Sequence, residues 1–122
     1  MKKILLLLLG IFTLNACSIN ETIEAQFEFN NAIYRVLFYD EGTPEKDLKD
    51  YVSNTSNSEK TTFYFFYPKN EYDLSVFSNE KFNLTSFSQT IVENKPDYGF
   101  YKMPNDKKVY DDAIWLLEQS LK

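Results

Sequence analysis

The stretch Thr61–Tyr67 constrains the fold of this 122-residue chain more than any other part of its sequence. Its letters, TTFYFFY, place aromatic residues on both parities, with Phe63 and Phe65 alternating with Tyr64 and Phe66. Successive side chains of a strand point to opposite faces of a sheet, so such a strand must be covered on both sides. The sequence therefore predicts a central strand with apolar residues packed above and below it.

Patterns on either side of this strand predict the remaining elements. The segment Gln26–Asp40 indicates two strands joined at Asn30-Asn31, whose residue types suit a tight hairpin turn. The other expected elements are helices over Pro44–Ser53 and Lys107–Lys122, strands over Asn83–Val92 and Tyr98–Met103, and a short helical turn near Leu74–Phe77. Together they predict a two-layer α+β fold, with a mainly antiparallel sheet of about four to five strands and two helices packed on one face.

Local residue choices support these boundaries. Thr43 suits the N-cap of the first helix, and Pro44 suits the first helical position, where no backbone N–H is needed. Asp106 is expected to cap the C-terminal helix. The segment Asn83–Val92 is assigned to a strand because hydroxyl and β-branched residues are frequent in it.

The N-terminus carries a different kind of signal. Lys2 and Lys3 precede an apolar run from Ile4 to Phe12, which is too short to span a bilayer and has the proportions of a secretory signal. The run is followed by the letters LNAC, which end in Ala16 and Cys17. This arrangement resembles the lipobox of bacterial lipoprotein signal peptides.

The resemblance implies a processed and lipidated chain. Cleavage after Ala16 would expose Cys17, whose thiol would carry a diacylglyceryl group and whose amino group would be acylated. More than one acyl chain holds a protein firmly on a membrane, where a single chain does not. The expected organisation is a cleaved signal peptide over residues 1–16, a lipidated cysteine with a short tether over 17–25, and a single globular domain over 26–122.

Processing also changes the charge of the protein. The full sequence has 13 basic and 18 acidic residues, and loss of Lys2 and Lys3 leaves 11 against 18, a net charge of −7. An acidic surface repels nucleic acid and anionic lipid headgroups. We therefore expect no nucleic-acid partner, and a domain that does not lie flat on the bilayer.

The residue inventory excludes several kinds of site. With no histidine and one cysteine, the chain cannot assemble a zinc cluster, a Ser-His-Asp triad or an intramolecular disulfide. The acidic group Asp40, Glu41, Glu45 and Asp47 lacks the spacing of an EF-hand loop, and helix capping and solvation explain it better than a metal does. We expect no catalytic set, no metal and no cofactor.

Five residues are candidates for a binding surface. Arg35, the only arginine, interrupts an apolar strand and either pairs with a nearby carboxylate or binds a ligand. Most aromatic residues are expected in the core, and those least committed to it are Tyr72, Tyr98, Tyr101 and Trp115.

These observations predict a lipid-anchored envelope protein whose small acidic, non-catalytic domain binds or supports a protein partner near the membrane. Such a domain would be an accessory subunit or an inhibitor of the immunity type. The alternative is a module that binds carbohydrate or peptidoglycan through exposed tyrosine and tryptophan side chains. Ser18, in place of an aspartate after the cysteine, favours the outer membrane over the inner membrane.

Overall fold

The architecture was established with a computed structural model that describes residues 22–55, 59–69, 77 and 83–122. Within these ranges the chain forms four strands and three helices. In chain order they are β1 (Thr22–Phe29), β2 (Ala32–Tyr39), α1 (Glu45–Asn54), β3 (Thr61–Pro68), α2 (Leu84–Glu93), β4 (Tyr98–Lys102) and α3 (Ala113–Ser120). The protein thus has an α+β fold, as the sequence predicted.

The four strands form one sheet in the order β1-β2-β3-β4. The pairs β1–β2 and β3–β4 are antiparallel, whereas β2 and β3 run parallel and are connected through α1. A parallel pair needs a crossover connection, and the helix supplies it. The sheet is therefore mainly antiparallel with one parallel pair at its centre.

The hairpin between β1 and β2 turns where the sequence predicted. Asn30 and Asn31 have φ angles of 49° and 63°, in the left-handed region that both central residues of a type I′ turn adopt. Asparagine tolerates this region better than most other residues. The first strand begins at Thr22, four residues before its expected start at Gln26, which shortens the predicted tether.

The central strand β3 is covered on both faces, which confirms the prediction made from its aromatic pattern. Phe65 and Tyr67 point to one face, and Tyr64 and Phe66 point to the other. The first face packs against α2 and α3 through Tyr34, Val36, Phe65, Tyr67, Phe77, Phe87, Ile91, Ala113 and Leu117. The second packs against α1 through Leu37, Tyr39, Leu48, Val52, Tyr64, Phe66 and Phe100.

Two helices do lie together on one face of the sheet, but they are α2 and α3, which also contact each other. The helix predicted over Pro44–Ser53 is α1, and it lies on the opposite face. Pro44 is its N-cap residue, while the Thr43 hydroxyl donates to the carbonyl of Asp40 at 2.7 Å. The predicted N-cap of this helix, Thr43, therefore lies one residue before the observed N-cap, Pro44.

The strand predicted over Asn83–Val92 is wrong, because this segment is helix α2. The Asn83 side chain accepts from the Ser86 N–H at 2.8 Å, and the Ser86 hydroxyl accepts from the Asn83 N–H at 2.9 Å. This reciprocal capping box starts the helix. Phe87 and Ile91 then fall four residues apart on one buried face, and that packing outweighs the strand preference of the hydroxyl and β-branched residues.

The C-terminal helix predicted over Lys107–Lys122 is shorter than expected, because α3 covers only Ala113–Ser120. Tyr110 instead forms a β-bridge with Tyr101, and the two residues exchange backbone hydrogen bonds of 2.9 Å. Their rings stack with centroids 4.9 Å apart. This pairing precedes the helix, and Asp112 replaces the predicted Asp106 as the N-cap residue.

The short helical turn predicted near residues 74–77 lies outside the described residues except for Phe77. That side chain is buried, with its ring centroid 5.8 Å from that of Tyr67 and 6.2 Å from that of Phe87. It extends the aromatic cluster on the face that α2 and α3 cover.

One buried polar atom in α2 has a measurable consequence. The Ser88 side chain is fully buried, and its hydroxyl has no hydrogen-bond partner among the described residues. Leaving a buried hydroxyl unsatisfied costs about 1–3 kcal/mol, and alanine is the better helix former. We expect Ser88→Ala to raise the free energy of unfolding by roughly 1 kcal/mol in chemical denaturation.

The matched control is Ser86→Ala on the same helix, which removes half of the capping box. Loss of a cap costs about 0.5–2 kcal/mol, so this variant should be destabilised. If both variants lowered the free energy of unfolding, the Ser88 hydroxyl would have to form a hydrogen bond in solution, which would contradict the prediction.

Candidate functional site

The predicted anchor residues, Ala16 and Cys17, lie outside the described residues, and so does Tyr72. The first described residue is Thr22, which already belongs to strand β1. Five residue steps separate it from Cys17, and an extended chain covers about 17–18 Å in that interval. In the described part of the chain, no helix has the length and apolar content needed to cross a bilayer.

The described aromatic candidates do not form one exposed row. Tyr98 packs on the α1 face, where its ring stacks 6.0 Å from that of Phe100. Tyr101 packs on the opposite face and stacks 5.2 Å from Phe63. Trp115 is 54% exposed on α3. Because Tyr98 and Tyr101 lie on opposite sides of the sheet, they cannot present their rings to one ligand together.

Tyr101 is also held in its neutral form. Burial raises the pKa of its hydroxyl, and the negative charge of Asp112 raises that pKa further. The ring of Tyr101 is therefore a neutral side chain, which stacks on the ring of Tyr110 beside β4. Its structural role is to hold Tyr110, with which it forms an isolated β-bridge ahead of α3.

Arg35 occupies a different kind of position, in the middle of the sheet on the α1 face. On β2 it lies opposite Gln26 of β1 and Tyr64 of β3. Its Nε donates to Gln26 Oε1 at 3.0 Å, and its Nη1 donates to the Tyr64 hydroxyl at 3.4 Å. The guanidinium carbon lies 5.6 Å from the centroid of the Tyr64 ring, within the range of a cation–π contact. The side chain is partly buried and held in place by neighbours on both sides.

Lys102 extends this group of polar residues across β3 to β4. It is only 3% exposed, and its Nζ donates to the carbonyl of Thr55 at 3.1 Å, just beyond the end of α1. The Thr55 hydroxyl is 2.9 Å from the hydroxyl of Tyr64. We call Gln26, Arg35, Thr55, Tyr64 and Lys102 the arginine network. Its members come from all four strands and from the end of α1.

The electrostatics of the arginine network are cationic within an acidic protein. Burial lowers the pKa of Lys102, and the positive charges of Lys107 and Arg35 lower it further, whereas the negative charge of Asp106 raises it. A carboxylate on the same sheet face, Glu28, is ion-paired with Lys60. Arg35 and Lys102 therefore place two positive charges on the same face of the sheet, where the negative charge of Asp106 also acts on Lys102.

The described ion pairs involve lysines and differ in this respect from the contacts of Arg35. Among the described residues, every ion pair joins a carboxylate to a lysine: Lys46–Asp50, Lys49–Glu45, Lys49–Asp111, Lys60–Glu28, Lys69–Asp40 and Lys95–Glu118. Among the described residues, Arg35 donates to the neutral oxygens of Gln26 and Tyr64. Within the described part of the chain Arg35 forms no ion pair with a carboxylate, and its two interpretations, as a paired strand residue or as a ligand-binding residue, both stay predictions.

The acidic group considered as a metal site serves other contacts. Asp40 pairs with Lys69, and Glu45 pairs with Lys49 one helical turn away. In the ranges that the structure describes, no three acidic or cysteine side chains converge closely enough to hold a metal ion.

Sequence reasoning identified Arg35 and missed the rest of the arginine network. One signal was present for Lys102, which shares a parity with Tyr98 and Phe100 and so places a lysine on an apolar strand face. Thr55 and Gln26 carried no such signal, because their roles depend on contacts between separate elements.

Comparisons with protein-family models, with curated proteins and with solved structures find no match for this chain.

Proposed function

We propose that the protein is a lipid-anchored component of a bacterial envelope, whose acidic, non-catalytic domain binds or supports a protein partner close to the membrane. The lipobox-like ending of the N-terminal signal, at Ala16 and Cys17, supports the anchor. The absence of histidine and the single cysteine remove the commonest catalytic sets and support a binding role over a catalytic one.

The observation that carries this proposal is the distance between Cys17 and the folded domain. Strand β1 begins at Thr22, so only four residues separate the modified cysteine from the sheet. A lipidated Cys17 would hold β1 within about 17–18 Å of its lipid. This spacing suits a domain that works on a partner at the membrane surface and not one that reaches far from it.

The anchor is tested by Cys17→Ser in the full-length chain, expressed in a bacterial host with a fatty-acid label. We expect loss of the label and transfer of the protein from the membrane fraction to the soluble fraction, because serine cannot form the thioether. The label reports one site, since the chain has a single cysteine. Ser18→Ala is the control and should keep both label and membrane attachment.

Membrane attachment of Cys17→Ser that survives washing with high salt would contradict the anchor. For the partner, we would cross-link intact envelopes and compare the proteins captured with the wild-type chain and with Cys17→Ser. Enrichment of a specific envelope protein by the wild type alone supports a function at the membrane. Equal capture by both forms would contradict it.

The proposed location is the outer membrane, on the basis of Ser18 after the cysteine. Separation of the two membranes on a density gradient tests this assignment directly. Recovery of the protein with inner-membrane markers would overturn it without affecting the anchor.

A further inference from the structure

The partly buried Arg35 has a charge that the described part of the protein does not neutralise. A guanidinium carries five N–H donors and is always charged. Two of these donors are used, one at Nε toward Gln26 and one at Nη1 toward the Tyr64 hydroxyl. The remaining N–H groups of Nη1 and Nη2 have no partner among the described residues.

The side chain is also held in one orientation. Gln26 fixes the Nε edge, and the ring of Tyr64, which is 1% exposed, lies against the guanidinium. The Tyr64 hydroxyl is itself held by Thr55 at 2.9 Å. An arginine fixed by neutral neighbours loses little conformational freedom when it binds a ligand. The arrangement is therefore pre-organised for an external acceptor.

The charge around Arg35 indicates what that acceptor is. The guanidinium is a permanent positive charge whose free N–H groups favour an anion. Lys102 lies close enough for the charge of Arg35 to act on it, and the charges of Lys107 and Asp106, of opposite sign, also act on Lys102. The chain from Cys17 onward carries a net charge of −7, which penalises a multiply charged ligand more than a singly charged one. A planar carboxylate matches the guanidinium by two parallel hydrogen bonds.

We propose that Arg35 is the anchor of a binding site for a carboxylate, supplied by an acidic side chain of the partner protein. The inference rests on the proposed function in one respect, namely that a partner provides the carboxylate. The site itself consists of residues of this chain, so binding of a simple carboxylate can be measured without partner or membrane.

The single arginine makes a direct experiment possible. The full-length gene product, purified from envelopes in a neutral detergent, should show one arginine Nε–Hε signal in its nitrogen–proton NMR spectrum. We expect acetate to shift this signal saturably, and sodium chloride at the same ionic strength not to shift it. Equal shifts with the two salts would overturn the proposal.

Variants of Arg35 lack the arginine NMR signal, so their acetate binding is measured by a second method, thermal unfolding. Acetate should raise the melting temperature of the wild type above its value in matched chloride, since a ligand of the native state stabilises it. Arg35→Gln should abolish this increment, and Arg35→Lys should weaken acetate binding at least about tenfold because it loses the two-point contact. Lys46→Gln, which removes an exposed cation on α1, should retain the full response.

Two outcomes would contradict the proposal in its present form. An acetate increment that persists in Arg35→Gln would show that the ligand binds elsewhere. Tighter binding of inorganic phosphate than of acetate would overturn the assignment to a carboxylate. Either result is independent of the Cys17 labelling experiment, so failure of this site and failure of the anchor are distinguishable.

Discussion

Phe87→Ala should lower the free energy of unfolding by about 3–5 kcal/mol, the usual cost of removing a buried aromatic side chain. Phe87 is fully buried in α2, at the centre of the larger aromatic cluster. Its ring centroid lies within 5.2–6.2 Å of five others, those of Phe27, Phe29, Tyr34, Phe65 and Phe77. A domain of this size has a total stability of about 5–15 kcal/mol, so the loss takes a large share of it.

Chemical denaturation followed by circular dichroism measures this effect without relying on tryptophan fluorescence. The matched control is Trp115→Ala, which truncates a larger ring that is 54% exposed and should cost less than about 1 kcal/mol. Phe87→Leu keeps most of the volume and should fold even where Phe87→Ala does not. Similar costs for Phe87→Ala and Trp115→Ala would contradict the burial on which this prediction depends.

Gly99→Ala should also destabilise the protein, by about 1–2 kcal/mol, because β4 and α3 approach too closely to admit a methyl group. A Cβ atom on Gly99 would lie 2.7 Å from Ile114 Cγ1 and 3.3 Å from Phe65 Cδ1. Replacing glycine by alanine ordinarily stabilises a protein by about 0.4–1 kcal/mol, because it lowers the conformational entropy of the unfolded chain. The energetic cost of the overlap is expected to exceed this gain. Ile114 is β-branched, so its Cγ1 atom cannot easily rotate away in a helix.

A double-mutant cycle separates this overlap from other causes. Ile114→Ala removes the overlapping atom, so Gly99→Ala should cost much less in that background. Gly42→Ala is the control: Gly42 has a φ of 95° and no atom within 4 Å of the added methyl, so strain alone should cost about 1–2 kcal/mol. Its cost should be the same with and without Ile114→Ala. Additive effects of Gly99→Ala and Ile114→Ala would contradict the close approach.

The sequence was most informative where local residue types dictate one conformation. The aromatics of Thr61–Tyr67 require burial on both sides of a strand, and Asn30-Asn31 tolerate the positive φ angles of a two-residue hairpin. Pro44 locates a helix start to within one residue. In these cases the deciding interactions lie within a few residues of each other.

Prediction from the sequence failed where contacts between distant residues determine which secondary structure a segment adopts. The buried face of α2 includes Ser88, which dilutes its apolar periodicity and hides the helix. The late start of α3 accompanies a bridge between Tyr110 and Tyr101, which belong to separate elements. The arginine network shows the same limit, since Arg35 was recognisable alone but Lys102 bonds to a carbonyl 47 residues away along the chain.

The position of β1 at the edge of the sheet determines how the domain would carry mechanical load. Thr22 is the first described residue, and β1 pairs with β2 from Thr22 to Phe29 with one irregularity between Ile23 and Ala25. A membrane pulling at Thr22 and a partner holding β2 at Arg35 in the opposite direction would slide the two strands lengthwise past each other. The inter-strand hydrogen bonds lie perpendicular to that motion and would resist it together, whereas a sideways pull would break them one after another.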